Sequence, residues 1–349
     1  MQTAKVSGRH MLDRLFKVKA LQERLSWQVA VLLALAVAAV AAVAFSVHSG
    51  AVNVPWPETW RYILGLEQAG EMRDIIWNIR LPRTLVAALV GTNLAVAGAL
   101  LQGVMRNPLA DPYIIGVSSG AGLFGMIVLI LFPHLPHLLT PVAFVGATTA
   151  AAIIYGLAWK NGIVPARIIL AGVAVSAFFG AGISTLMVFY SDRLHGTIDF
   201  LVGGLAARSW PQVTTILPYT LFGLTVALLG ARKMNLLVLG DRTAKSLGTR
   251  VELTRLSMTA TATLLAASAV SVVGLLGFVG LIVPHMARLL VGNDYRTLLP
   301  ASALLGSAVV TGCDTLARLM FAPVEMPVGV IMGALGAPFF LYLLRRRSI

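Results

Sequence analysis

Of the 349 residues, 58% are hydrophobic and 12% charged, and the mean hydropathy is +0.84. Soluble domains average about 25% charged residues, so this composition excludes a soluble protein and describes a polytopic membrane one. A net charge of +13 would suit a nucleic-acid binder, but the basic residues follow a membrane topology, and no nucleic acid is expected as a partner.

Residues 1–25 are basic, with Lys5, Arg9, Arg14, Lys17, Lys19 and Arg24, and read as a cytoplasmic N-terminal segment. The apolar run behind them is too long for the core of a signal peptide, so 26–47 is expected as an uncleaved first span. It opens a single transmembrane domain over 26–349. A hydrocarbon core about 30 Å thick takes roughly 20 apolar residues per helix. Further candidates are 83–105, 113–132, 139–159, 166–190, 213–231, 254–273, 280–291, 298–320 and 327–344. The fold class is therefore all-α, with about ten transmembrane helices. Segment 280–291 covers only about 18 Å at 1.5 Å per residue and cannot cross alone. Gly274, Gly277 and Gly280 lead into it, so it is expected as a half-length helix behind an irregular stretch dipping into the bilayer. Such backbone is tolerated only where protein or a watery cavity surrounds it.

Between the spans, the loop 48–82 carries Trp56, Trp60 and Trp77, residues suited to the membrane interface. Within it, Glu58-Thr59-Trp60-Arg61-Tyr62 reads as a short surface helix. The loop 191–212 should hold another short helix near 198–207, and 232–253 is a polar, helix-compatible inner loop. If both termini are cytoplasmic, the outside keeps only Arg61, Arg73, Arg80, Arg83, Arg193, Arg208 and Arg318 of the 27 basic residues. That asymmetry satisfies the positive-inside rule with an even number of crossings.

Few residues inside the spans can do chemistry. Asp314 and Arg318 lie one helical turn apart and read as a neutralising pair near the outer end, or as a vestibule cation with its anchor. Gly240-Asp241-Arg242-Thr243-Ala244-Lys245-Ser246 ends like a phosphate-binding loop. Leu239 and Ala244 stand where that loop needs glycine, and no strand precedes it. ATP is therefore expected on another subunit, and the chain should carry no catalytic residue, cofactor or metal. The same segment fits a short amphipathic helix with Asp241 as its cap, seated in a soluble partner or simply solvated. Gly116 and Gly120, Gly172, Ser176 and Gly180, and Gly329 and Gly333 have helix-packing spacing. The fifth and tenth spans carrying such faces are candidates for a symmetric interface. Cys313 reads as a buried inert thiol. His134, His137 and His195 lie in outside loops without ligand spacing.

The stretch Arg106-Asn107-Pro108-Leu109-Ala110-Asp111-Pro112, with Arg80-Leu81-Pro82-Arg83 upstream and Gly116, Gly120-Ala121 downstream, resembles the permease subunits of ABC importers for iron chelates and vitamin B12. Asn235 to Gly240, Ala244 and Leu247-Gly248 resemble the family's coupling-helix motif. Gly277-Phe278-Val279-Gly280-Leu281-Ile282-Val283-Pro284-His285 with Arg288 matches the next signature. Asp294, Arg296, Leu299-Pro300, Gly306, Asp314, Ala317-Arg318, Pro327-Val328-Gly329 and Gly336-Ala337-Pro338-Phe339-Phe340 continue it in order. The match covers about three quarters of the chain.

The resemblance implies a type II importer permease in a bacterial inner membrane, a homodimer with its translocation path on the dimer axis. Two cytoplasmic ABC ATPases, which hold the ATP and magnesium, would dock on Leu239, Gly240, Asp241, Ala244, Lys245, Leu247 and Gly248. An extracytoplasmic binding protein would meet Arg80, Arg83 and Arg318, expected as exposed cations that steer an acidic partner. The path and gate would involve Val164, Pro165, Ala166, Leu170, Gly172, Ser176, Gly203 and Gly204. Relatives in the B12 branch carry hydroxyls where this chain has Val164-Pro165-Ala166-Arg167, whereas Gly203-Gly204 resembles that branch. These clues pull apart, leaving a ferric siderophore as first choice, cobalamin or haem next, and a small oxyanion last. An ion-coupled carrier would need a carboxylate pathway through Asp314, and a membrane enzyme would need a catalytic constellation that the spans lack.

Overall fold

The computed structural model describes residues 25–50, 52–66, 70–113, 116–159, 165–194, 197–322 and 324–346. Residues 1–24, Val164 and His195 lie outside them. Every regular element among the described residues is helical.

Helix α1 (Leu25–His48) is apolar around its whole circumference and mostly open to the surroundings. The short helix expected around Glu58–Tyr62 is present as α2 (Trp56–Ile63), with a proline in its first turn. The second span departs from expectation. It begins near Met72, inside the supposed loop, and passes through a π-helical turn at Ile75–Arg80, where Leu81 N–H bonds the Ile76 carbonyl five residues back. It then continues as α3 (Leu81–Val104). The wide turn precedes Pro82, whose ring has no N–H to give a regular helix.

α4 (Val117–Leu131) is shorter than the apolar segment it occupies, because residues 105–113 form a turn. There the Asn107 carboxamide oxygen accepts from Leu109 N–H (3.0 Å) and the Asp111 carboxylate from Tyr113 N–H (2.7 Å). α5 (Leu139–Ala158), α6 (Pro165–Phe189), the short α7 (Ile198–Val202) and α8 (Trp210–Val238) follow. The α8 start is a capping box, Ser209 and Gln212 satisfying each other's backbone. α9 (Asp241–Ser246) lies between α8 and α10 (Val251–Val273). α11 (Val279–Val291), α12 (Tyr295–Met320) and α13 (Val328–Arg346) complete the bundle.

Seven of these helices are long and apolar enough to span a bilayer, and α4, α11 and the described apolar part of α13 are shorter. All ten predicted segments coincide with one of these helices. The expected irregular stretch also exists: the chain from Gly274 to Phe278 has no regular structure before α11 begins.

α3 and α10 form the enclosed centre. α3 approaches its neighbours so closely that a Cβ on Gly91 would fall within 3.0 Å of the Gly306 backbone on α12. One on Gly98 would do the same at Gly280 on α11. In a lipid setting, such backbone contact is what holds helices together.

Candidate coupling and docking sites

The end of the bundle where α8 finishes and α10 begins is the basic end. Gly240, at φ +113°, turns the chain out of α8 and starts α9. Asp241 is the first helical residue and does not cap the helix as expected. Its carboxylate accepts instead from two arginines: Arg255 on α10 (2.9 and 3.2 Å) and Arg106 beyond the end of α3. Arg106, at φ +48°, also donates through Nε to the Leu237 carbonyl (3.2 Å). Burial and the neighbouring Arg255 both lower its pKa. Ala244 is fully buried against the bundle, whereas Leu239, Arg242, Lys245 and Leu247 are exposed. Gly248, at φ +79°, lets Thr249 N–H return to the Ala244 carbonyl (2.9 Å). α9 is thus fastened through Asp241 and Ala244 and presents two leucines and two cations outward.

A second polar knot lies nearby. The Asn235 side chain donates to Asp294 (2.7 Å) and accepts from Tyr295 N–H (2.8 Å). Arg296 grips the same Asp294 carboxylate, holding its pKa down at about 2 through that hydrogen bond against the opposing effect of burial.

At the far end the three predicted docking arginines are present but not exposed. Arg80 donates to the Val47, His48 and Val52 carbonyls where α1 ends. Arg318 donates to the Ser46 and Ser49 carbonyls (3.1 Å each) and pairs with Asp314 at 3.3 Å. Arg83 binds Asp314 through Nε and Nη2, the latter at 2.9 Å, and Glu325 through Nη1 at 2.7 Å. The expectation that these three cations stand exposed is therefore corrected. A helix C-terminus leaves carbonyls without partners, and arginine, with five donors, is the side chain best able to satisfy several together. The Asp314–Arg318 pair exists, but Arg83, 231 positions away in sequence, is the closer partner.

Of the predicted path residues, Val164 lies outside the described part and Pro165 opens α6. Ala166 and Leu170 are exposed, and so are Val173 and Phe178. Gly172 and Ser176 instead face α4: a Cβ on Gly116 would meet Ser176 Oγ and the Gly172 carbonyl. Gly203 and Gly204 serve backbone contact, Gly204 N–H donating to the Val273 carbonyl (2.9 Å) and the Gly203 carbonyl accepting from Gly329 N–H (3.0 Å). Gln102 and Glu325 escaped the sequence reading, and Arg208 and Arg255 entered it only through the balance of basic residues. Arg208 follows the unusual positive φ of Ala207, and burial lowers its pKa, with the charges of Asp199 and Arg83 acting on it in opposite directions. Among the described residues, no group of three His, Cys, Asp or Glu side chains is placed to hold a metal ion.

Residues 28–346 match the model of the FecCD transport family. The cobalamin import system permease protein BtuC of Halobacterium salinarum is 43% identical over 330 residues, covering 92% of this chain and 88% of its own. The Fe(3+)-citrate import system permease protein YfmE of Bacillus subtilis is 40% identical, covering 90% and 95%. The hemin transport system permease protein HmuU of Yersinia pestis is 38% identical, covering 86% and 91%. A solved structure described as an inward-facing conformation of a putative metal-chelate type ABC transporter is 30% identical and superposes with a TM-score of 0.78, over 90% of this chain and 99% of that one.

Proposed function

This chain belongs to the FecCD transport family, and from that premise we propose that it is the permease subunit of an ATP-driven importer for a metal chelate. The cargo is a ferric siderophore, with cobalamin or haem as the alternative. Two copies form a homodimer of ten-crossing subunits in the cytoplasmic membrane, the inner membrane of a bacterium, with both termini inside. The basic end is cytoplasmic by the positive-inside rule. There α9 seats in a separate ABC ATPase, which holds the ATP and magnesium, while this chain carries no cofactor. The far end receives the extracytoplasmic binding protein. The path between them runs along the exposed apolar face of α6 that Leu170 and Val173 mark.

The observation that carries this reading is α9 itself: a one-and-a-half-turn helix pinned to three transmembrane helices, with Leu239, Leu247 and two cations facing away from the bundle. Exposed leucines on a short anchored helix are suited to a groove in a soluble partner. Asp314, the carboxylate that an ion-coupled carrier would need, is held by two arginines and is 1% exposed, which weighs against a proton relay.

The test is uptake into proteoliposomes holding this chain and the ATPase of the same import system, with the binding protein added outside. Labelled ferric siderophores, cobalamin and haem are offered with and without enclosed ATP. ATP-dependent accumulation of one cargo is expected. Uptake that ignores ATP and follows an ion gradient would overturn the proposal.

A further inference from the structure

We infer that Glu325 is an exchangeable placeholder on Arg83, occupying the position that a carboxylate of the binding protein takes on docking. The inference rests on the reading of the far end as a docking surface. The three arginines there are not equivalent. Arg80 and Arg318 direct their N–H groups at carbonyls where α1 ends. A guanidinium in that position satisfies orphaned acceptors and complements the helix dipole, so removing either would loosen α1. Both belong to the scaffold.

Arg83 alone is divided between a fixed and a replaceable partner. Nε and Nη2 reach Asp314, which is 1% exposed, whereas Nη1 reaches Glu325, whose side chain is 50% exposed. Breaking the buried contact would strand a charge away from water. The Glu325 contact opens to solvent, where an ion pair contributes little, and a carboxylate from another protein can substitute for it with small net change. Glu325 lies in the segment joining α12 to α13, beside the exposed Val324. Within the local cluster, Arg83 has Arg208 and Arg318 as neighbouring cations and Asp314 and Glu325 as its acidic partners. Release of Glu325 therefore leaves Arg83 Nη1 open to a carboxylate from an acidic partner.

The experiment uses the assembled transporter in lipid nanodiscs, titrated with the binding protein of the same import system at low and physiological salt. Glu325→Gln is expected to tighten docking roughly two- to fivefold, the range of an exposed ion pair, mostly through a faster on-rate at low salt. The gain should vanish in an Arg83→Gln background. A spin label at Val324→Cys gives a second readout that leaves Arg83 intact: docking should free the label, and buried Cys313 does not compete for the reagent. Unchanged or weaker docking of Glu325→Gln, a gain of equal size without Arg83, or a label indifferent to docking would each overturn the inference. Failure of the unaltered transporter to bind the protein at all would instead remove the importer reading.

Discussion

Gln102 on α3 donates its side-chain amide to the Gly280 carbonyl on α11 at 3.1 Å, the same carbonyl that Pro284, lacking an N–H, leaves without a helical partner. The Gln102 side-chain oxygen in turn accepts from Arg288, one turn beyond the proline. One glutamine thus bridges both sides of the interruption in the half-length helix.

Replacing Gln102 with leucine should strand that buried carbonyl and cost Arg288 one of its acceptors, leaving it the Tyr295 hydroxyl. An unsatisfied buried polar group costs about 1–3 kcal/mol, and a clear drop in the thermal midpoint of the detergent-solubilised protein is expected. Gln102→Glu keeps the acceptor for Arg288 but loses the donor, and should fall between the two. A leucine variant as stable as the parent would show that the carbonyl finds water.

Asp241 joins α9 to α3 and α10 through two arginines. Asp241→Asn should leave the bundle folded, because the carboxylate is half-exposed, but free α9 from the spans. ATP hydrolysis by the reconstituted complex should continue while uptake falls severalfold. Parallel measurement of phosphate release and cargo accumulation checks this, and proportional loss of both would argue for a role in assembly alone.

Glycine positions should divide sharply. Gly91→Ala and Gly98→Ala place a methyl against neighbouring backbone and should destabilise by about 1–3 kcal/mol, the range for overpacking. Gly156→Ala and Gly312→Ala meet nothing within 4 Å and should be neutral or gain up to about 1 kcal/mol from helix propensity. Thermal midpoints of the four variants decide the matter.

Asp294 provides a pH test. Its pKa is lowered from 3.8 to about 2 in the folded chain, so the unfolded state takes up its proton first as pH falls. The stabilisation is complete above about pH 4 and disappears between there and pH 2. The carboxylate is part-exposed and its partner Arg296 is exposed, so screening keeps the contribution to about 1 kcal/mol. The gap in thermal midpoint between the parent and Asp294→Asn should hold constant from neutral pH to about pH 4 and close below it.

The apolar segments were legible because a lipid-spanning helix needs a long run of one chemistry, and each run became a helix. The irregular approach to α11 was equally legible from its glycines. What the sequence concealed was partnership. Arg83 and Asp314 are 231 positions apart, and an arginine near a predicted membrane boundary looks the same whether it faces water or caps another helix. Gly172 and Ser176 showed the spacing of a contact face but not which neighbour it met. Gln102 could have been suspected from Pro284, since a proline inside an apolar helix always leaves a carbonyl in need of a donor, but nothing in the sequence says which helix supplies it.

The meshing of Gly91 with Gly306 has a mechanical consequence. Two backbones in such contact resist sliding past one another, so α3 can move against α12 mainly by tilting about that point. At 1.5 Å per residue, the arm from Gly91 to Val104 is about 20 Å and the arm to Arg83 about 12 Å. α3 is then a lever with an unequal fulcrum: a displacement applied beside Asp241 arrives at the Arg83 ion pairs reversed in direction and reduced to about three fifths of its size.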